Sequence, residues 1–402
     1  MTPLHGIRVL DLTSYLMGPF ATQILGDMGA EVIKVEPPEG DLVRVIGPSP
    51  CAGMGGMFMQ MNRNKRSIVL DLKQPAGRDA ALRLAAKTDI FVYNVRPQAM
   101  ARLGLSYEAV ADINPGVIYV GAVGFGQDGP YAALPALDDL MQGMVAIPSL
   151  FERAGGEGPR YVPLAMADRH VGVALVNAVL GGLVHKLRSG EGQAIEVPMF
   201  ETMAQGVLGD HMMGANFDPP LGPPGYTRHL SRDRRPFRTA DGHVCAFLIN
   251  DRQWQSLLEA VGEPERMKHP HFADVQARTV HSAEVYGFLE TLFRTRTTAQ
   301  WLEVLRKADV PSGPLHTLES LFEDEHLNAV GFFERREHPA AGTVLNLRPP
   351  SRWSRTPPEV TRLAPTLGEH SAEILGEVGY TRSEIEAMAA AGVTSQANPQ
   401  EQ

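Results

Sequence analysis

Six short runs rich in Val, Ile and Leu punctuate the first half of the chain: IRVLDL from residue 7, EVIKVE from 31, SIVLDL from 67, DIFVYN from 89, GVIYVGAV from 116 and AIEVP from 194. Between them lie segments of helical period such as PFATQILGDMG, where Phe20, Ile24 and Met28 recur on one face. Strands that alternate with helices are joined by crossovers, so the pattern predicts an α/β fold with a doubly wound, Rossmann-like parallel sheet.

That pattern stops at NFDPPLGPPGYTRHLSRDRRPF, residues 216–237, where Pro and Gly density marks a linker. Beyond it, FRTADGHVCAFLI reads as a hairpin with Asp241 and Gly242 at the turn, and helical patterns continue through residue 308. The expectation is a small α+β domain at 238–310 and a return linker at 311–331. The extended piece GTVLNL and two helices, SAEILGEVG and SEIEAMAAAG, then lead back toward the first domain, and the polar SQANPQEQ at the end is expected to be disordered.

Charge narrows the partners. A net charge of -9 opposes broad attraction to phosphate backbones or anionic lipid, so no nucleic-acid partner is expected, and an anionic ligand needs a local basic pocket. No apolar stretch reaches about 18 residues without interruption, so no membrane span is expected, and MTPLHGIRVLDL lacks the basic start and apolar core of a signal peptide, so a cytoplasmic location is expected. Cys51 and Cys245 are the only cysteines, and the histidines show no H-E-x-x-H or similar spacing, so no metal is expected.

Several motifs have two readings. Glu36 ends the second strand where a ribose-binding acid could stand, but the first turn, TSYLMGPF, lacks the G-x-G-x-x-G of a dinucleotide site. NRNKRSIVLDLK concentrates Arg63, Lys65, Arg66 and Lys73 on one strand, either a solvated edge or a phosphate site. Asn94, Arg96 and Arg102 follow the fourth strand, beyond the carboxyl end where α/β sheets bind ligands, and guanidinium groups suit phosphate. GMGGMFMQM, residues 53–61, is either a lid over an apolar ligand or a buried loop. Asp168 opens the apolar helix VGVALVNAVLGGL, which makes it an N-cap by helix rules; the same carboxylate, ionised at neutral pH without a neighbouring base, can also be a nucleophile. His170 falls on another face of that helix.

Taken in order, GPFATQILGDMGAEVIKVEPPEGDLVR, NRNKRSIVLDLK, NVRPQAMARLGL, NPGVIYVGAVGFGQDGPYA, PALDDLMQG, MADRHVG, DVPSGPLHT and LGEHSAEILGEVG resemble the class III CoA-transferases and the related α-methylacyl-CoA racemases over nearly the whole chain. The resemblance implies a large Rossmann-like CoA-binding domain from residues 1–215 and 332–402, a small central domain, and an interlocked homodimer. It implies that Asp168 is the nucleophile that forms a mixed anhydride and then an aspartyl-CoA thioester. It implies coenzyme A contacts at Leu70, Lys73, Asn94, Val95, Arg96 and Arg102, an acyl-CoA donor and a carboxylic acid acceptor. Val95 stands where the family usually has an aromatic residue, which removes a stacking partner for adenine.

Two departures narrow the activity. The racemases carry Gly-His-Asp where this chain has Ala136, Leu137 and Asp138, and leucine carries no proton. The resemblance still implies an active-site carboxylate at Asp138. Formyl-CoA:oxalate transferases have Gln where SYLMGP has Leu16; with Tyr15 beside it, this apolar turn suggests a larger, less polar acid, such as a dicarboxylate with a hydrocarbon body. The alternatives are α-proton exchange by a racemase-like isomerase and a non-catalytic CoA-ester binding protein.

Overall fold

A computed structural model describes residues 2–395. The polar tail therefore lies outside the described residues apart from Ser395. The chain forms two compact units, one of Met1–Val145, Pro163–Ala204 and His326–Gln402, the other of Ala146–Val162 and Gln205–Glu325. Both segments expected as linkers contribute to the second unit, the return segment up to Glu325.

All six expected strands of the first unit form: β1 (Arg8–Leu12), β2 (Glu31–Glu36), β3 (Lys65–Val69), β4 (Ile90–Tyr93), β5 (Ile118–Val123) and β6 (Gln193–Pro198). They build one parallel sheet in the order β3-β2-β1-β4-β5-β6, with Val9 facing Val32 on one side and Ile90 on the other. The order reverses between β1 and β4, and such a switch point opens a crevice at the carboxyl ends of the strands.

Two devices complete this unit. The exposed rim of β3 is covered by the returning C-terminal chain: Asn64 N–H donates to the Arg362 carbonyl, His370 N–H to the Ser67 carbonyl, and Ser371 Oγ accepts from Val69 N–H. Its helices, Ser371–Glu377 and Arg382–Ala390, bury Ile374, Leu375, Ile385 and Met388 in the sheet's core. The long helix Met166–Ser189 packs on the first helix, Met17–Asp27, and on the sheet through glycines. A Cβ at Gly172 would lie 2.9 Å from the Phe20 ring and 3.0 Å from the Met17 carbonyl oxygen, and one at Gly182 would lie 2.8 Å from Ile118. These approaches bring the N-terminal ends of the two helices together.

In the second unit the expected hairpin forms from β7 (Phe237–Arg238) and β8 (His243–Ala246), with β9 (Ser312–Pro314) as a third antiparallel strand from the segment read as a linker. Its core gathers Phe237, Trp254, Phe293 and Trp301, and Asn250 and Thr297 close capping boxes at two of its helices. In the first unit, GTVLNL forms β11 (Gly342–Leu347), which pairs antiparallel with β10 (Phe333–His338).

Candidate active site

The turn after β1 is held from below by buried charge. Lys34 Nζ reaches the Thr13 carbonyl at 2.9 Å and Asp41 at 2.8 Å, and the other Asp41 oxygen accepts Tyr15 N–H at 3.2 Å. Asp11 accepts from Thr13 N–H at 2.9 Å, Thr22 Oγ1 at 2.6 Å and Lys65 Nζ at 3.0 Å. Burial alone would raise the Asp11 carboxyl, but Lys65 and Lys34 outweigh it and hold it at about 2. The turn tolerates an uncommon conformation because of this support: Tyr15 has φ 71°, a left-handed backbone that bulky residues rarely adopt. Asp11, Lys34, Asp41 and Lys65 were not singled out together by sequence reasoning, because their partnership exists only across strands.

Across the switch point, Asn94 locks the same turn to the end of β4. Its Oδ1 accepts Ser14 N–H at 3.0 Å and its Nδ2 donates to the Ser14 carbonyl at 2.7 Å. Val95, Arg96, Lys73 and Arg102 are exposed, and Arg96 donates to the Ala133 carbonyl at 3.2 Å. Leu70 differs: its side chain is in the sheet's core and its N–H already donates to the Glu36 carbonyl. Of the basic run around β3, only Lys73 is exposed; Arg63 pairs with Asp27, Lys65 with Asp11, and Arg66 with Glu31 and Glu377. Neither sequence reading of Arg63, Lys65 and Arg66 holds, since they are buried structural partners. Glu36 likewise turns inward, to Arg44 at 2.7 Å and Ser67 at 2.7 Å.

Asp168 is not the N-cap that helix rules favour. The cap position is Ala165, and Asp168 is the third residue of the long helix. Its main-chain N–H, one of the groups left without a partner at a helix start, donates to Asp138 Oδ2 at 2.9 Å. Asp138 begins the short helix Asp138–Met144, and its other oxygen accepts from Gln142 Nε2 at 2.6 Å, which also reaches the Leu164 carbonyl at 3.3 Å. The capping carboxylate thus comes from a neighbouring helix, and the Asp168 side chain is spared. Burial first and the Asp138 charge second push the Asp168 carboxyl up to about 6, against the pull of Arg169.

The turn and the helix start share a wall. Arg169 stacks on Phe20 at 4.5 Å, and Leu16 packs in one apolar cluster with Ala165, Met54, Phe58 and Met61. The methionine-rich segment therefore contributes buried filler at Met54 and Met61. The GFGQDGP loop leads from β5 toward Asp138; Gly126 N–H donates to Glu201 and Gln127 N–H to Glu196, both at 3.0 Å. Gln142 lies within the PALDDLMQG segment without being marked by it, and no residue type or spacing marks Glu196 and Glu201. The arrangement offers a half-buried carboxylate of raised basicity at a helix N-terminus, an apolar flank and exposed cations beyond β4.

Residues 4–371 match the description CoA-transferase family III. The chain belongs to that family and is an enzyme that transfers CoA, with an acyl-CoA as substrate. It is 34% identical over 386 residues to a succinate–glutarate CoA-transferase of Agrobacterium fabrum, covering 94% of this chain and 96% of the other. A human succinyl-CoA:glutarate CoA-transferase is 31% identical over 402 residues, covering 98% and 90%. A crystal structure of a CAIB/BAIF family protein from Brucella suis superposes with a TM-score of 0.78 at 33% identity, covering 94% of this chain and 99% of that one.

Proposed function

We propose that the enzyme moves CoA from succinyl-CoA or a similar dicarboxylic acyl-CoA to a second dicarboxylic acid, with Asp168 as the covalent carrier. The observation that carries this reading is the Asp168 carboxylate, basic for its type and relieved of helix capping by Asp138. The relatives named for succinate and glutarate support the substrate class, as does the apolar turn at Leu16.

Asp168 attacks the donor thioester carbonyl, the C–S bond breaks, and CoA thiolate leaves a mixed anhydride. The thiolate then attacks the aspartyl carbonyl, expelling the donor as its carboxylate and leaving an aspartyl-CoA thioester. The acceptor carboxylate attacks that carbonyl and releases the thiolate, which attacks the acceptor's acyl carbon and frees Asp168. No net proton is consumed. Retaining CoA beside the carboxylate converts bimolecular steps into intramolecular ones, worth about 7–11 kcal/mol when geometry is good. The helix N-terminus contributes partial positive charge to the developing oxyanions, and Lys73, Arg96 and Arg102 suit the CoA phosphates.

The homodimer of the family is part of this proposal. The long helix is, among the described residues, the one apolar enough over sufficient length to cross a membrane, yet it packs on the sheet, and its exposed side carries Val173, Val184 and Leu187. A second copy is the occupant proposed for that side; light scattering on the purified protein would read a monomer if this is wrong. Catalysis is tested with a panel of acyl-CoA donors and carboxylic acids read by mass spectrometry. Asp168→Ala should abolish transfer and the hydroxylamine-trappable acyl-enzyme; undiminished turnover in that variant refutes the assignment.

A further inference from the structure

We propose that the second unit holds a structural site for a borderline divalent cation of the Zn²⁺ class, formed by His269, His271 and Glu284 with His281 alongside. One ligand atom from each of the first three lies within 4.8 Å of the others. Tetrahedral bonds of about 2.1 Å need ligand atoms about 3.4 Å apart, a change that rotations of these partly exposed side chains supply. His271 Nδ1 already meets Glu284 Oε2 at 2.5 Å, a proton-bridged contact in which a cation can replace the proton. The His281 ring stacks on His271 with centroids 3.6 Å apart, which holds the His271 ring in place beside Glu284.

The spacing HPH and, further on, HSAE does not read as a metal motif, because the intervening short helix Val275–Val280 folds the two pieces together. Asp274 caps that helix through Ala277 N–H at 2.8 Å, and Glu284 lies in the first turn of the next helix. Val275, Arg278, Thr279, Ser282 and Val285 from this stretch line a cavity of about 250 Å³. A bound cation would tie both ends of the cavity's helical wall and limit its opening. Mixed imidazole and carboxylate donors select Zn²⁺ or Co²⁺ over Mg²⁺ and Ca²⁺, which prefer oxygen.

The test titrates chelator-treated, full-length enzyme with Zn²⁺ by calorimetry and with Co²⁺ by visible absorption. One equivalent should bind at neutral pH, with tetrahedral Co²⁺ bands and a raised Tm, and release as the solution is acidified and the histidines protonate. His271→Ala and Glu284→Gln should each weaken binding at least ~10-fold, with the metal-free Tm of the exposed Glu284→Gln variant little changed and CoA transfer intact. No uptake by the native protein in excess Zn²⁺, or uptake that persists in a His269→Ala, His271→Ala double variant, would overturn the site.

Discussion

Asp168→Asn should make the protein more stable while ending transfer. The carboxyl is raised from 3.8 to about 6 in the fold, which corresponds to about 3 kcal/mol of disfavoured ionisation as an upper bound. Asp168 is half-buried, so solvent screening reduces this, and a neutral side chain forfeits up to about 1 kcal/mol of favourable interaction with the helix N-terminus. A gain of about 1–2 kcal/mol remains. With a typical unfolding entropy per residue, that raises Tm by about 1–3 °C in a chain of 402 residues. The sign follows from proton counting. Because the folded carboxyl has the higher pKa, the native state binds more protons than the unfolded chain between 3.8 and about 6, so wild-type stability falls across that window as pH rises. The advantage of the Asn variant should therefore be full above about pH 6 and vanish below about pH 4. Scanning calorimetry of both proteins across that range, at one protein concentration, measures it. A variant that is destabilised at neutral pH, or equally shifted at every pH, refutes the account of Asp168 as an under-compensated charge.

Further outcomes are expected at four places in the structure. Asp138→Ala frees the Asp168 N–H and should lower kcat at least ~10-fold with a smaller change in KM, whereas Asp138→Asn keeps an acceptor but removes charge, so the acid limb of the donor half-reaction moves to lower pH. Asp11→Ala strands buried Lys65 and should cost about 3–5 kcal/mol, measured by urea unfolding or as loss of soluble protein. Gly172→Val drives a side chain into Phe20 and the Met17 carbonyl, for a loss of about 1–3 kcal/mol and reduced turnover from the displaced helix start. Lys73→Glu with Arg102→Glu should raise KM for acyl-CoA by about 10-fold or more with kcat largely kept, and the difference should shrink in high salt.

The parallel sheet was legible because its strands announce themselves: a buried strand such as IYVGAV needs apolar side chains wherever it lies. β10, with the sequence FERREH, was not, since its residues are mostly polar and it pairs, among the described residues, with β11 alone. Lys65 shows why charge on a strand misleads. From sequence it looks solvated, but Asp11, Thr22 and Asn62 surround its ammonium group in a place water does not reach. Such a pairing needs three separate segments folded at once, and no local pattern carries it. The same holds at the site: the resemblance singled out Asp168, but the identity of its cap depends on a contact from Asp138, thirty residues earlier.

That contact also bears on which chemistry the site can run. Proton exchange at an α-carbon requires two groups able to take and return a proton on opposite faces of the substrate. Leu137 cannot do so, and each Asp138 oxygen is engaged, one by the Asp168 N–H and the other by Gln142. Protonating Asp138 would weaken the bonds that hold the long helix's first turn, so the residue is better suited to positioning than to shuttling. Asp168 is left as the carboxylate whose oxygens are uncommitted by hydrogen bonds among the described residues, and a single free carboxylate suffices for acyl transfer. If deuterium from solvent nevertheless entered the α-position of a 2-methylacyl-CoA in the absence of any acceptor acid, and did so undiminished in Asp168→Ala, this division of labour between the two aspartates would be wrong.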